Sequence, residues 1–236
     1  MSALVVQHRA DLQSYQRPAL TGKTRPPTTT RQERLMATTT RGFSGRRRER
    51  HDDRLPPGQY DVGDAFPVLS AGPTPRADLT TWDLTVQGQV DHVARWNWAE
   101  FAALPHEDFT ADLHCVTSWS KFDTRWRGVC LDTLLDGIAT GGDFVTAFSD
   151  GGYTTNVPLA DLRGRRAWAV DSYDGAPLAP VHGGPVRLLV PHLYLWKSAK
   201  WLRGIAVTAS DELGFWERFG YHAYGDPWRE QRYALT

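Results

Sequence analysis

Beyond about residue 55, apolar positions recur at short range along the chain. Trp82, Leu84 and Val86 alternate with polar neighbours and stop at Gly88, the period of a strand ending in a turn. Phe109, Ala111, Leu113 and Cys115 alternate with Thr110, Asp112 and His114, which predicts a strand with one buried face. That pattern points the Cys115 thiol inward where the strand meets a polar loop, Thr117-Ser118-Trp119-Ser120. Further short strands are predicted over 144–148, 153–157, 167–171, 186–190 and 205–208, with a turn at Tyr173-Asp174-Gly175. Asn97-Trp98-Ala99-Glu100 has the cap-then-acid spacing of a helix start, leading into Phe101 and Leu104 and stopped by Pro105. Leu131, Leu134, Leu135 and Ile138 share one helical face before Gly141-Gly142. Strands outnumber helices without regular βαβ alternation, so the expected fold class is α+β, mixed and strand-rich.

Composition narrows this picture. The 236 residues are 41% hydrophobic with 10 Trp, enough for one sizeable core. Lys plus Arg and Asp plus Glu are equal at 27 each, so the whole chain has no electrostatic bias towards nucleic acid or membrane. Two cysteines exclude a disulfide framework and a complete Cys-rich zinc site. No apolar run reaches membrane-spanning length and none follows Met1 as a signal core would, so the expectation is a cytoplasmic protein with no membrane partner. Residues 1–54 are rich in Thr, Arg and Pro and read as a disordered basic tail ahead of a domain over 55–236. The run Arg46-Arg47-Arg48-Glu49-Arg50 reads as solvated, and nucleic acid is not the expected partner.

A second stretch, HGGPVRLLVPHLYLWKSAKWLRGI over 182–205, sets cations among the most apolar residues of the chain. Arg187 interrupts a Val-Leu strand, and Lys197 and Lys200 are flanked by Leu195, Trp196, Trp201 and Leu202. Arg203 reads as a side chain whose stem packs while its head reaches water. Unpaired buried charge is expensive and no local acidic run supplies partners, so a bound anionic ligand is expected here. Gly183-Gly184 would let that ligand approach the backbone. For Cys115 the residues alone leave four readings: a packing thiol, a nucleophile with His114, a zinc ligand with His114, His182 or His192, and a ligand for another metal. Cys130 reads as core. His192, Tyr194, Tyr153 and Trp119 are aromatic or polar candidates for a substrate funnel or for packing.

The Cys115 segment, His182-Gly183-Gly184-Pro185-Val186-Arg187 and Lys197-Ser198-Ala199-Lys200-Trp201, in that order and spacing, resemble the molybdopterin-binding domain of the sulfite oxidase family, in particular its small, haem-free bacterial members. The resemblance runs over about residues 55–233 and includes Leu55-Pro56-Pro57-Gly58-Gln59-Tyr60, Gly220-Tyr221-His222 and Gly225-Asp226-Pro227-Trp228. It implies that Cys115 is the metal ligand and catalytic centre, binding molybdenum beside the sulfurs of a molybdopterin cofactor (Moco). It implies cofactor contacts at His182, Arg187, Ser198, Ala199 and Lys200, the cations meeting the phosphate. His182 matches the sulfite oxidase branch, while Ser149 and Asp150 lie where the sulfoxide-reductase branch has a threonine near the metal. Thr117-Ser118-Trp119-Ser120-Lys121 stands where the family has an arginine-rich sulfite pocket, and no haem-binding segment is found. The implied function is a mononuclear molybdenum oxidoreductase. It would move an oxygen atom to or from a small sulfite- or sulfoxide-like substrate and exchange electrons with an unidentified redox partner. The alternatives are a non-catalytic binding module of the same fold and nucleic-acid binding through the tail.

Overall fold

The computed structural model describes residues 52–235. The stretch read as a basic tail, with its arginine run, lies outside the described residues except for Asp52–Arg54, a single 3-10 turn. Arg54 donates from Nε to Asp112 Oδ2 at 2.9 Å and from Nη2 to Asp123 Oδ1 at 2.8 Å.

The strands form two sheets. The first holds β1 (Tyr60–Asp61), β4 (Glu107–His114), β5 (Trp119–Cys130), β8 (Trp168–Tyr173), β9 (Ala176–Pro177) and β10 (Arg187–Leu189). The second holds β2 (Asp83–Gly88), β3 (Ala94–Asn97), β6 (Phe144–Ser149), β7 (Thr154–Pro158) and β11 (Leu202–Thr208). The first runs β1-β5-β8-β10, with β4 on the side of β5 and β9 on β8; the second runs β3-β2-β11-β6-β7. Leu84, Val86, Val145 and Ile205 of the second sheet share an apolar cluster with Val129, Ala169 and Leu188 of the first, so the sheets close on one core. Among the described residues there are four short α-helices: α1 (Trp98–Ala103), α2 (Leu131–Leu134) and α3 (Leu159–Leu162) lie between strands, and α4 (Phe215–Arg218) follows β11. The architecture is α+β with sheets dominant, as expected.

Local chemistry accounts for most elements. On α1, Asn97 Oδ1 accepts from Glu100 N at 3.0 Å and Glu100 Oε2 accepts from Asn97 N at 2.8 Å, the reciprocal box that the spacing predicts. Leu104, the residue before Pro105, is extended and ends the helix. The helix expected over 131–138 stops at Leu134, because the chain turns through Gly137 at φ +71°. Leu131, Leu134, Leu135 and Ile138 are nonetheless all buried.

The region around Cys115 departs further from expectation. Trp119 and Ser120 do not lie in a loop: they open β5, a strand of 12 residues. Its buried Thr124, Trp126 and Gly128 alternate with exposed Arg125 and Arg127, a period-two signal diluted by the charged residues. β4 pairs antiparallel to β5 with Leu113 opposite Lys121 and His114 opposite Ser120. Cys115 N donates to Trp119 O at 2.8 Å and Ser118 N to Cys115 O at 3.0 Å, with Ser118 left-handed at φ 73°. The register sends His114 and Ser120 to one face, where His114 Nδ1 and Ser120 Oγ lie 2.8 Å apart, and Cys115 with Trp119 to the other.

Two charged residues of the 182–205 stretch find protein partners. Lys197, fully buried, donates to Glu217 Oε1 at 2.6 Å, Asn156 O at 2.8 Å and Asn156 Oδ1 at 2.9 Å. Its counter-charge comes from α4, 20 residues on, so Lys197 is removed from the set of cations awaiting an anion. Arg203 is ion-paired with Asp83 on β2 rather than reaching freely into water.

Lys197→Met leaves the buried Glu217 carboxylate without its counter-charge and should lower unfolding stability by about 3–5 kcal/mol, read from urea denaturation. A loss under about 1 kcal/mol would mean the pair is not the anchor of α4. The second expectation concerns pH. Burial lowers His114 from its ordinary value near 6.5 to about 4. The unfolded chain therefore takes up this proton first. The stability from neutral His114 is complete above about pH 6.5 and is lost as pH falls towards 4, by up to about 3 kcal/mol. His114→Gln should flatten the pH dependence of the unfolding midpoint in that window; an unchanged profile would contradict the assignment.

Candidate active site

A cavity of about 530 Å³ opens beside the β4–β5 turn. Cys115, Trp119, Arg187, Ser198 and Lys200 border it, as do His182 and an aromatic wall that includes Tyr153, Trp216 and Tyr221. Residues separated by more than a hundred positions thus meet around one thiol.

Cys115 is 6% exposed, with Sγ 3.2 Å from Thr117 Oγ1. Burial pushes the thiol up, while hydrogen bonds from Thr117 and the charges of Arg187 and Arg232 pull it back towards thiolate. Its backbone is held from both ends of the described chain. Gln59 Nε2 donates to Cys115 O at 3.1 Å, and Arg232 Nη1 donates to Val116 O at 2.7 Å. Neither clamp was found from sequence, since each lies 56 or 116 residues from the carbonyl it holds and no local pattern reports such a contact.

Arg187 opens β10 and is 3% exposed. Its Nη1 donates to His182 O at 3.0 Å, but among the described residues Nε has no acceptor and no carboxylate pairs with the guanidinium. Burial lowers it to about 10. Lys200 donates from Nζ to Leu69 O and Val181 O, both at 2.7 Å. An ammonium carries three protons, so one donor remains. Burial, then repulsion from Arg187, lowers Lys200 to about 8. A buried guanidinium and a half-buried ammonium that repel each other make a positive field that would suit an anion. His182 stacks on Phe66 with ring centroids 4.1 Å apart, and burial, Lys200 and Arg187 all favour its neutral form.

The remaining expected contacts divide. Ser198 borders the cavity, but its Oγ accepts from Val190 N at 2.9 Å. Ala199 is fully buried in the core and its carbonyl accepts from Leu188 N at 2.9 Å, so its side chain does not face the cavity. Gly183 and Gly184 also differ from expectation: a Cβ on Gly183 would press on Lys200, and one on Gly184 would strike the Leu178 carbonyl. Those glycines let the chain pack on itself rather than admit a ligand. Asp150 borders the cavity, and Ser149 Oγ is buried without a partner. Of the funnel candidates, Tyr153 and Trp119 border the cavity and Tyr194 is buried behind it. His192 is engaged elsewhere, 3.1 Å from Asp161. Among the described residues no three His, Cys, Asp or Glu side chains form a metal-binding group, and two of the histidines named for zinc are turned to other partners, His114 to Ser120 and His192 to Asp161.

One soft thiol, two cations without carboxylates and an orphaned guanidinium nitrogen suit a group that binds through a single sulfur at one end and carries an anion at the other. Residues 71–216 match the model of the oxidoreductase molybdopterin binding domain. The chain is 42% identical over 195 residues to an oxidoreductase of Bacillus subtilis (strain 168), YuiH, covering 81% of this chain and 98% of that one. It is 30% identical over 150 residues to the putative protein-methionine-sulfoxide reductase subunit YedZ1 of Azospira oryzae, covering 63% of this chain and 57% of that one. A nitrate reductase [NADH] of Phaseolus vulgaris is 27% identical over 61% of this chain and 20% of its own. The fold superposes on sulfane dehydrogenase SoxCD from Paracoccus pantotrophus with a TM-score of 0.54 and 17% identity, covering 62% of this chain and 42% of that one. The chain belongs to the molybdopterin-binding oxidoreductases of the sulfite oxidase type.

Proposed function

We propose that the protein transfers an oxygen atom to or from a small substrate, sulfite- or sulfoxide-like, at a molybdenum centre held by Cys115. The observation that carries this reading is Arg187: a nearly water-free guanidinium with no carboxylate and an unused Nε, in the same cavity as a buried thiol. Arg187 and the free donor of Lys200 would hold the cofactor's phosphate, and neutral His182 would pack on its pterin. Ser198 and Ala199 would meet it through backbone groups, since the hydroxyl of one is engaged and the methyl of the other faces the core. When bound, the cofactor supplies a metal that exchanges an oxygen atom and two electrons with the substrate.

The protein's own part is positional. The β4–β5 turn fixes the sulfur, the cations orient the anionic end, and the aromatic wall excludes water. Electrons would be exchanged with a separate protein rather than with a haem of this chain, and the description of YedZ1 as a reductase subunit supports such a partnership. The same description favours the sulfoxide side of the substrate range.

In protein made in a host able to synthesise the cofactor, molybdenum should be present at about one per chain by elemental analysis. Cys115→Ser should keep the fold but abolish the thiolate-to-metal charge-transfer absorption and nearly all oxygen transfer; Cys130→Ser, at a thiol buried among Leu113, Trp126 and Leu189, should leave that absorption unchanged. Full activity in Cys115→Ser would end the proposal.

A separate comparison tests the anion site. Arg187→Ala and Lys200→Ala should each lower cofactor occupancy by more than tenfold under dialysis, since a desolvated charge contact is worth on the order of 2–5 kcal/mol. Arg127→Ala, which removes an exposed pair with Asp108, should match the wild type. Equal occupancy in all three would refute the phosphate role.

A further inference from the structure

The cavity holds a second orphaned donor. Trp119 is 4% exposed and borders the cavity, yet its indole Nε1 has no acceptor among the described residues. A buried N–H left unpaired costs on the order of 1–3 kcal/mol, so its persistence needs a cause. Trp82 and Trp168 also carry unpartnered indole nitrogens, but neither borders the cavity. Among these three, only Trp119 has a place beside it where an acceptor can sit.

The backbone ties this indole to the thiol. Cys115 and Trp119 face each other across the turn that closes β4 onto β5, joined by Cys115 N to Trp119 O at 2.8 Å. Opposed residues of an antiparallel pair project to the same face with Cβ atoms roughly 4.5–5.5 Å apart. The neighbouring pair, His114 and Ser120, makes the corresponding contact on the opposite face at 2.8 Å. Phe66 packs edge-on against the Trp119 ring with centroids 6.3 Å apart, which limits its rotation. Thr117 is committed to Sγ at 3.2 Å, and Arg187 lies on β10 rather than on the turn.

We infer that Trp119 is a positioning residue whose indole N–H donates to an acceptor atom of the group bound at Cys115, at its sulfur-ligated end. This rests on the molybdenum reading above. Such a bond stabilises the more electron-rich state of the group, since negative charge on the acceptor strengthens it. Removing it should make the group harder to reduce.

The experiment is a redox titration of cofactor-loaded Trp119→Phe, with Trp82→Phe and Trp168→Phe as controls. Phenylalanine keeps an aromatic ring and deletes the donor. The reduction equilibrium of Trp119→Phe should fall about tenfold, a drop of about 30 mV for a two-electron couple, and the thiolate-to-metal absorption should shift. Both controls, which delete equally orphaned donors away from the cavity, should keep the wild-type potential and spectrum. A loaded Trp119→Phe with wild-type potential overturns the inference, as does an equal shift in either control. Should Trp119→Phe fail to fold, the wild type serves: on cofactor loading the Trp119 indole proton resonance should move downfield while those of Trp82 and Trp168 stay, and an unmoved Trp119 resonance overturns the inference. Wild-type protein without molybdenum would instead overturn the metal reading, and this inference with it.

Discussion

The site depends on the burial of Arg187. A guanidinium with 3% exposure and, among the described residues, no carboxylate partner is tolerable only if something else repays its lost hydration. Within the protein it receives one carbonyl, that of His182, and Lys200 nearby makes matters worse by repulsion. The contrast with Lys197 is instructive. That ammonium is buried just as deeply, but four oxygens surround it, one from the carboxylate of Glu217. The protein therefore knows how to neutralise a buried cation within this stretch and does not do so at Arg187 and Lys200. Stability is spent there to leave a positive field beside a thiol.

The same field shapes the chemistry of Cys115. Burial alone favours the protonated thiol, a poor metal ligand, whereas Arg187, Arg232 and the Thr117 hydrogen bonds favour thiolate. A metal ion would complete that shift, because a coordinating thiol is deprotonated outright. His114 cannot act as the base for a nucleophilic thiol: the hairpin turns its ring away towards Ser120, and burial keeps it neutral. One local register thus separates a structural histidine from the reactive sulfur that follows it.

Much of this was legible in the chain because the signals were local. Alternation exposes β2 and the approach to Cys115; a four-residue cap motif marks α1; and an arginine inside a valine-leucine run marks the buried cation of the cavity. What failed was long-range or ambiguous by nature. β5 was missed because Asp123, Arg125 and Arg127 on its exposed face masked the alternation of Thr124, Trp126 and Gly128. Lys197 has no local signal of its pairing, because its partner Glu217 lies 20 residues further along the chain. Gly183 and Gly184 were assigned to ligand approach, when the constraint was the chain's own crossing at Lys200 and Leu178. Ala199 shows what a motif carried over residue by residue leaves open: its side chain packs in the core, so a contact from this position would come from the backbone.

The distribution of clamps along the sequence adds a final point. The residues that match the family's domain, 71–216, contain the thiol and both cations. The groups that hold the thiol-bearing turn in place come from outside that span. Gln59 and Arg232 grip the carbonyls of Cys115 and Val116, Tyr60 N donates to Ser118 O at 2.9 Å, and Phe66 braces both Trp119 and His182. Arg232 also lies over the Tyr194 ring, 5.2 Å from its centroid, which couples the last turn of the chain to the core beneath the cavity. A turn of this kind has few bonds of its own, and its geometry is set by what presses on it from either side. The segments flanking the shared domain therefore determine how firmly the sulfur is held, and through it how closely the reactive group is positioned.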